Sequence, residues 1–299
     1  MFKSLILSLL TYALILLSVA FFTLLERKAL GYFQIRKGPN KVSITGLPQP
    51  LADAVKLFTK QWMIPTRSNY LPFLLTPSAM LIMALSLWQT YPSNHTSDFM
   101  PFSILLLLCI SSMTVYTTLM AGWSSNSKYS LLGAVRAMAQ TISYEVTMTL
   151  TLILFLNLSR QMELISLKNS NSINLNLTIF LPLLLVWLTI ILAETNRAPF
   201  DFAEGESELV SGFNVEYGGA GFAMLFMAEY SNILFMSVLT SIIFTGQILL
   251  SIPVAFMFLW ARGTLPRYRY DLLMNTTWKC FLPLTLVTPM LANIIHMML

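Results

Sequence analysis

Charge is withheld from this sequence in long blocks, and that one feature limits the folds open to it. Ser4–Leu25, Phe99–Ser127 and Asn169–Ala193 contain no Asp, Glu, Lys or Arg. Ala137–Ser159 contains only Glu145, and Tyr217–Ala261 only Glu229. Uncharged apolar runs also cover Leu71–Tyr91 and Phe281–Leu299. A helix needs roughly 20 apolar residues to cross the hydrocarbon of a bilayer. Tyr217–Ala261 is long enough for two, with a turn near Thr245–Gln247, so the expected number of spans is eight. They are helices rather than strands, because no alternating ten-residue barrel pattern occurs and lipid offers the backbone no hydrogen bonds. Composition agrees: 56% of residues are hydrophobic and 10% charged, where a soluble domain carries about a quarter. The expectation is an all-α integral membrane protein, with residues 1–299 forming a single membrane domain.

The basic residues orient it. With eight spans both termini share a side. The opposite side collects 15 of the 18 Lys and Arg residues, leaving Lys3, Arg160 and Lys168 on the terminal side. By the positive-inside rule the termini lie outside, and the inside loops are 26–70, 124–136, 194–218 and 262–279. The first inside loop turns at Gly38-Pro39-Asn40 and then reads as a helix from Pro50 to Trp62, with proline at its start. Leu51, Val55, Phe58 and Trp62 form one apolar stripe, with Lys56 and Lys60 off it. This predicts an interfacial amphipathic helix, lying on the bilayer or capping a cavity between spans. Its one acid, Asp53, either pairs with Lys56 or Lys60 or lines a polar passage.

Against the basic background stands an acidic island. Glu194–Glu216 holds Glu194, Asp201, Glu204, Glu206, Glu208 and Glu216 against the single base Arg197. The chain as a whole is +5, so this stretch of −5 leaves +10 on the rest. A helical island aligns Asp201, Glu204 and Glu208 on one face; an extended one aligns Glu204, Glu206 and Glu208. Either way three carboxylates converge, and in a closed space they cannot all ionise cheaply. Pro199, Phe200, Phe202, Leu209, Val210 and Phe213 are interleaved with them, which predicts a loop packed into protein rather than loose in solvent. Glu145 and Glu229 lie deeper still. A charge at the bilayer centre costs about 2.5–3.5 kcal/mol on the insertion scale, so such residues are paired, protonated or solvated. A buried proton relay is the functional expectation for this set, and an interhelical hydrogen bond the structural alternative.

Other chemistries find no footing. Cys109 and Cys280 are expected to be buried inert thiols, and with His95 and His296 they have no metal-ligand spacing. Gly218-Gly-Ala-Gly221 does not follow a strand and is no phosphate loop. The first apolar run lacks a signal-peptide cleavage site, so it is expected to remain as a span. No redox cofactor, metal or nucleic acid is expected on the chain itself, and any electrons must come from another subunit.

Several long segments resemble a known family. ERKALGYFQIRKGPN (Glu26–Asn40), QPLADAVKLFTK (Gln49–Lys60), AETNRAPFDFAEGESELVSGFNVEY (Ala193–Tyr217), MAEYSNI (Met227–Ile233) and PRYRYD (Pro266–Asp271) are similar to the chain 1 family of respiratory complex I, the proton-pumping NADH:ubiquinone oxidoreductase. The resemblance covers nearly the whole chain, and its lean loops and Leu/Met/Ser-rich usage match the mitochondrially encoded form. It implies a multi-pass protein of the mitochondrial inner membrane, with termini toward the intermembrane space and long loops in the matrix. It implies ubiquinone as substrate and nothing bound covalently, with FMN and iron–sulfur clusters in partner subunits. The implied partners are the iron–sulfur and quinone-site subunits of the peripheral arm, the adjacent membrane-arm subunits and membrane lipids. It also implies roles. Glu194, Asp201, Glu204, Glu206, Glu208, Glu229 and Glu145 would belong to a carboxylate path that carries protons onward. Arg27, Arg36, Asp53, Phe58, Arg136, Arg197, Arg262, Arg267 and Arg269 would line the quinone passage or the arm junction. One departure stands out: many relatives carry an acid just after the Thr59-Lys60 pair, and here that residue is Gln61. The rival readings are a membrane subunit of an energy-converting hydrogenase, a transporter or channel acting alone, and a purely structural anchor.

Overall fold

The computed structural model describes residues 2–92, 100–159, 162–173, 181–202, 205 and 211–298. Among the described residues there is no strand. The helices are α1 (Phe2–Phe33), α2 (Gln49–Thr59), α3 (Tyr70–Leu87), α4 (Ser103–Ser124), α5 (Lys128–Ser159), α6 (Leu164–Ile173), α7 (Leu181–Glu194), α8 (Gly219–Thr245), α9 (Ser251–Thr264), α10 (Tyr270–Thr276) and α11 (Leu282–Met298).

Five of these are long and apolar enough to cross a membrane: Ile6–Phe33, Tyr70–Thr90, Ser103–Ser124, Lys128–Asn157 and Gly219–Thr245. Pro182–Glu194 and Ile248–Thr264 are apolar but shorter. The turn expected near Thr245–Gln247 is present. Gly246 ends α8 in the left-handed conformation at φ 67°, which its missing Cβ permits, and its N–H donates to Ile242 O.

Burial separates centre from periphery. The apolar stretch of α8 is 61% buried and that of α1 only 11%. α8 packs on α1, α2, α3, α6 and α9. α1 turns Leu9, Leu10, Leu14, Leu17 and Phe21 outward, the pattern of a helix whose solvent is lipid. Cys109 and Cys280 are also exposed on the bundle surface, correcting the expectation of buried thiols: a lipid-facing surface accepts a weakly polar thiol as readily as the core does.

Several boundaries differ from the sequence reading, each for a local reason. α1 runs past its apolar stretch to Phe33, so Glu26, Arg27 and Lys28 are helical and stacked on the end of a span. α2 stops at Thr59 because Lys60 is extended, which takes Trp62 off the helix that carries Leu51, Val55 and Phe58. Those three are exposed. The segment read as a loop from 124 is helical from Lys128 on. A π turn, Thr277–Phe281, joins α10 to α11, so Asp271 and Lys279 are also helical.

The far end of the acidic island is fastened to the bundle. Tyr217 stacks on Phe73 of α3 with ring centroids 4.3 Å apart, and its hydroxyl lies 2.8 Å from Thr76 Oγ1 and 3.1 Å from Ser124 Oγ. At Gly133 of α5 a Cβ would meet Gly212 Cα and Phe213 N at 2.9 Å, so only glycine lets that backbone approach so closely.

Candidate functional site

The near end of the acidic island is shaped by how α7 stops. Asn196 adopts φ 50°, its N–H donates to Ala193 O at 3.2 Å, and Arg197 N–H donates to Leu192 O at 3.2 Å. This pair of bonds is a Schellman ending, with Asn standing where Gly is commoner. It folds the chain back so that Arg197 begins the next segment beside the helix end that carries Glu194.

From there the loop is clasped from two sides. Gln140 of α5 donates its Nε2 hydrogens to Ala193 O and Phe200 O, both at 2.9 Å. Tyr268 N–H, from the segment joining α9 and α10, donates to Pro199 O at 3.0 Å, and the Tyr268 ring lies 5.6 Å from that of Phe200. Phe202 meets Tyr270 edge to face. Arg267 Nη2 approaches Asp201 Oδ2 at 3.4 Å. Phe200, Phe202 and Phe213 are buried, so the described part of the island is packed into protein.

Two clusters of ionisable groups flank this loop. The first centres on Glu26 of α1, 4% exposed. Its Oε1 accepts from Arg262 Nη1 of α9 and lies 3.6 Å from Arg197 Nη1. The Arg197 guanidinium also sits over the Tyr230 ring of α8, 4.3 Å from its centroid, a geometry in which the ring's negative face attracts the cation. One acid near the start of the chain thus faces two arginines from its second half.

The second cluster is acidic. Glu194, the last residue of α7, has its Oε2 buried with no hydrogen bond among the described residues. Glu145 of α5 is its electrostatic neighbour. Glu145 Oε1 accepts from Ser111 Oγ of α4 at 3.4 Å, a long bond. Glu229 is half-buried on α8, one residue before Tyr230.

A third contact sits at the margin. Arg27 Nη1 pairs with Asp53 Oδ2 at 2.6 Å, and Gln49 Nε2 donates to Asp53 Oδ1 at 2.9 Å. Asp53 therefore pairs across elements, not with Lys56 or Lys60 as its local spacing suggests. The far end of α2 lies against the start of α8: the backbone oxygens of Leu57, Lys60 and Gln61 stand 3.5–3.6 Å from the Cβ position of Gly219.

The structure thus brings Arg197, Arg262, Asp201 and Arg267 to one loop, and Glu194 to Glu145. Arg27 and Asp53 fasten α2 to α1. Phe58 is exposed on α2. Arg36 is exposed and donates to the nearby Gln34. Arg269 is exposed and pairs with Asp271 at 3.1 Å. Arg136 is half-buried on α5. Glu204, Glu206 and Glu208 lie outside the described residues. Among the described residues no group of three or more His, Cys, Asp or Glu could hold a metal ion. Sequence reasoning passed over two residues that organise the loop. Glu26 looks like part of the charged flank of a span, and Gln140 like a polar residue in an apolar run; an amide five residues before Glu145 was the available signal.

Comparison with known proteins bears on this arrangement. Residues 6–293 match the NADH dehydrogenase family. The chain is 53% identical over 279 residues to NADH-ubiquinone oxidoreductase chain 1 of Heterololigo bleekeri, covering 90% of this chain and 89% of the relative. It is 54% identical over 286 residues to the protein of that name from Anopheles quadrimaculatus, covering 93% and 91%. With that of Lampetra fluviatilis it shares 47% over 287 residues, covering 91% and 89%.

Proposed function

Since the chain belongs to the NADH dehydrogenase family, we propose that it is a core membrane subunit of a proton-pumping NADH:ubiquinone oxidoreductase. In this reading it forms the passage by which ubiquinone enters and the first part of the carboxylate path that couples quinone reduction to proton transfer. The names of its relatives support ubiquinone as the substrate. Adding α7, α9 and α11 to the five long helices makes eight spans. The concentration of Lys and Arg in alternate loops supports termini toward the intermembrane space of a mitochondrion and long loops in the matrix. The iron–sulfur and quinone-site subunits of a peripheral arm, and adjacent membrane-arm subunits, complete the assembly. FMN and the clusters sit in those partners.

The substrate's reduction takes up two electrons and two protons, and so changes the charge beside this chain. The chain's own residues divide the work. α1, the exposed apolar face of α2 and the start of α8 form the walls, with Arg27, Arg36, Asp53, Phe58 and Arg136 along them and Arg269 toward the arm junction. Arg197, Arg262 and Arg267 stand at the inner end, where positive charge favours an anionic reduced species. The clasped loop carries Asp201 and leads to Glu204, Glu206 and Glu208. Protons redistribute along Glu194, Glu229 and Glu145 and onward to neighbouring subunits.

The observation that carries this reading is the Glu194–Glu145 pair: two carboxyl groups in electrostatic contact within an apolar bundle, one with a buried oxygen that no described group bonds. A buried carboxylate without a counter-ion is costly, so a group left this way holds or exchanges a proton. The test is Glu145→Gln in the assembled, membrane-bound complex. The expected outcome is normal assembly with fewer protons moved per electron or a slower turnover. Normal turnover with the normal proton ratio would overturn the relay.

A further inference from the structure

The residue that the acidic site depends on without belonging to it is Glu26. It is 4% exposed, lies on α1, and touches both Arg197 and Arg262. Arg197 is 12% exposed at its side chain and stacks on Tyr230. The Schellman ending of α7 places that same arginine three residues beyond Glu194 on a chain folded back over the helix end. A long, flexible guanidinium starting there can turn toward either of two acids. Toward α1 and α9 it meets Glu26; toward α5 and α7 it would meet Glu194, whose Oε2 is buried and unbonded among the described residues.

We propose that Glu26 is a positioning residue that holds Arg197 on the Tyr230 ring and so keeps the Glu194 carboxyl without a fixed cation. The proposal rests on the relay reading above and deepens it. A relay acid clamped by a buried arginine is a permanent carboxylate, because a desolvated ion pair in good geometry resists protonation. An acid left beside another acid can take up and release a proton. Glu26 decides between these states by competing for the cation. Arg262 supplies the second half of the device: it also pairs with the Glu26 carboxylate, and so holds that group charged and in place beside Arg197. The cost of leaving a buried charge unpaired keeps the pair in place.

The experiment uses the assembled complex in native membranes, with Glu26→Gln, Glu26→Asp, Arg197→Gln and the Glu26→Gln/Arg197→Gln double variant. Complex content is normalised by NADH oxidation with ferricyanide, which needs only the peripheral arm. Glu26→Gln is expected to lower kcat for ubiquinone about tenfold while KM stays within about twofold, since the defect lies in charge placement rather than substrate contact. Glu26→Asp, which keeps the charge, is expected to lose about threefold, between wild type and Glu26→Gln. The double variant is expected to be about threefold faster than Glu26→Gln alone, because the arginine that would neutralise Glu194 is gone. A double variant as slow as the product of the two single losses would overturn the proposal, as would a raised KM with kcat unchanged. If Glu26→Gln does not accumulate, the double variant is compared with Arg197→Gln: equal rates support the proposal, and a further loss on adding Glu26→Gln overturns it. A normal Glu145→Gln complex overturns the relay itself, so the two failures are distinguishable.

Discussion

The clusters at Glu26 and at Glu194 use the same kind of side chain in the same oily bundle, one loop apart, and come out as opposites. Glu26 is as buried as a core leucine and has two guanidinium groups on it. Glu194 has a buried oxygen with no described hydrogen bond, and its electrostatic neighbour is another acid. The first arrangement pairs the charge with cations; the second leaves it without one among the described residues. What separates them is which helices meet. α1 and α9 bring Glu26 and Arg262 together, whereas α5 and α7 bring two carboxyls and the Ser111 hydroxyl of α4 contributes one long bond. A carboxylate in a membrane is therefore not informative by its presence alone. Its partner list tells whether it is a fastener or a proton site.

On the relay proposed above, the sharpest way to break that contrast is to remove the proton that Glu194 would carry. Glu194→Gln keeps the shape and abolishes titration. Loss of a proton-transfer group costs typically 10²–10⁴-fold, so ubiquinone reductase turnover coupled to pumping is expected to fall by about 10²-fold, with complex content retained. That exceeds the loss expected at Glu26. If Glu194→Gln behaved like Glu26→Gln in both rate and assembly, the two clusters would not differ in kind.

Next in size is the residue that keeps the clusters apart. Gln140 bonds Ala193 O and Phe200 O at once, pinning the loop just before Glu194 and just after Arg197. Gln140→Leu leaves two buried acceptors unsatisfied, worth about 2 kcal/mol or more between them. The open population of the segment from Arg197 to Phe202 should rise about 30-fold, read as faster amide hydrogen exchange there in the purified complex. Unchanged exchange would mean that the Tyr268–Pro199 bond and the aromatic contacts hold the loop unaided.

The difference between the clusters was only partly legible in the sequence. The spans were readable because charge is excluded from them by an energy that scales with every residue, and α3, α4, α5 and α8 fall where the uncharged runs lie. Glu145 and Glu194 were readable as costly residues, since composition alone marks an acid in an apolar run. Their interaction was not, because it depends on α5 packing on α7. Glu26 was passed over for a related reason: in sequence it is followed by Arg27 and Lys28 and looks like a span's polar flank. Its partners are Arg197 and Arg262, and Arg262 is 236 residues away. Trp62 was assigned to the stripe of α2 by spacing that the extended backbone at Lys60 interrupts. Periodicity reads an element's faces, and it does not read where the element stops or what meets it.

Asp53 gives the smallest expected effect and the cleanest control. Its local spacing favours Lys56, yet it pairs with Arg27 across two elements, because the end of α1 delivers a guanidinium to the first turns of α2. By distance alone this 2.6 Å contact would rank as a strong ion pair. Its setting says otherwise. The side chains are 53% and 32% exposed, so water screens the attraction, and such pairs contribute about 0–1 kcal/mol. Asp53→Asn keeps the Gln49 contact through the remaining amide oxygen and is expected to change complex stability by less than about 1 kcal/mol and turnover by less than about twofold. A tenfold loss of turnover with KM unchanged would show that Asp53 handles a proton and belongs with Glu194. A raised KM with normal kcat would place it in contact with the substrate along the passage wall. The near-silent outcome would confirm that burial, more than distance, sorts this chain's ion pairs into fasteners and ornaments.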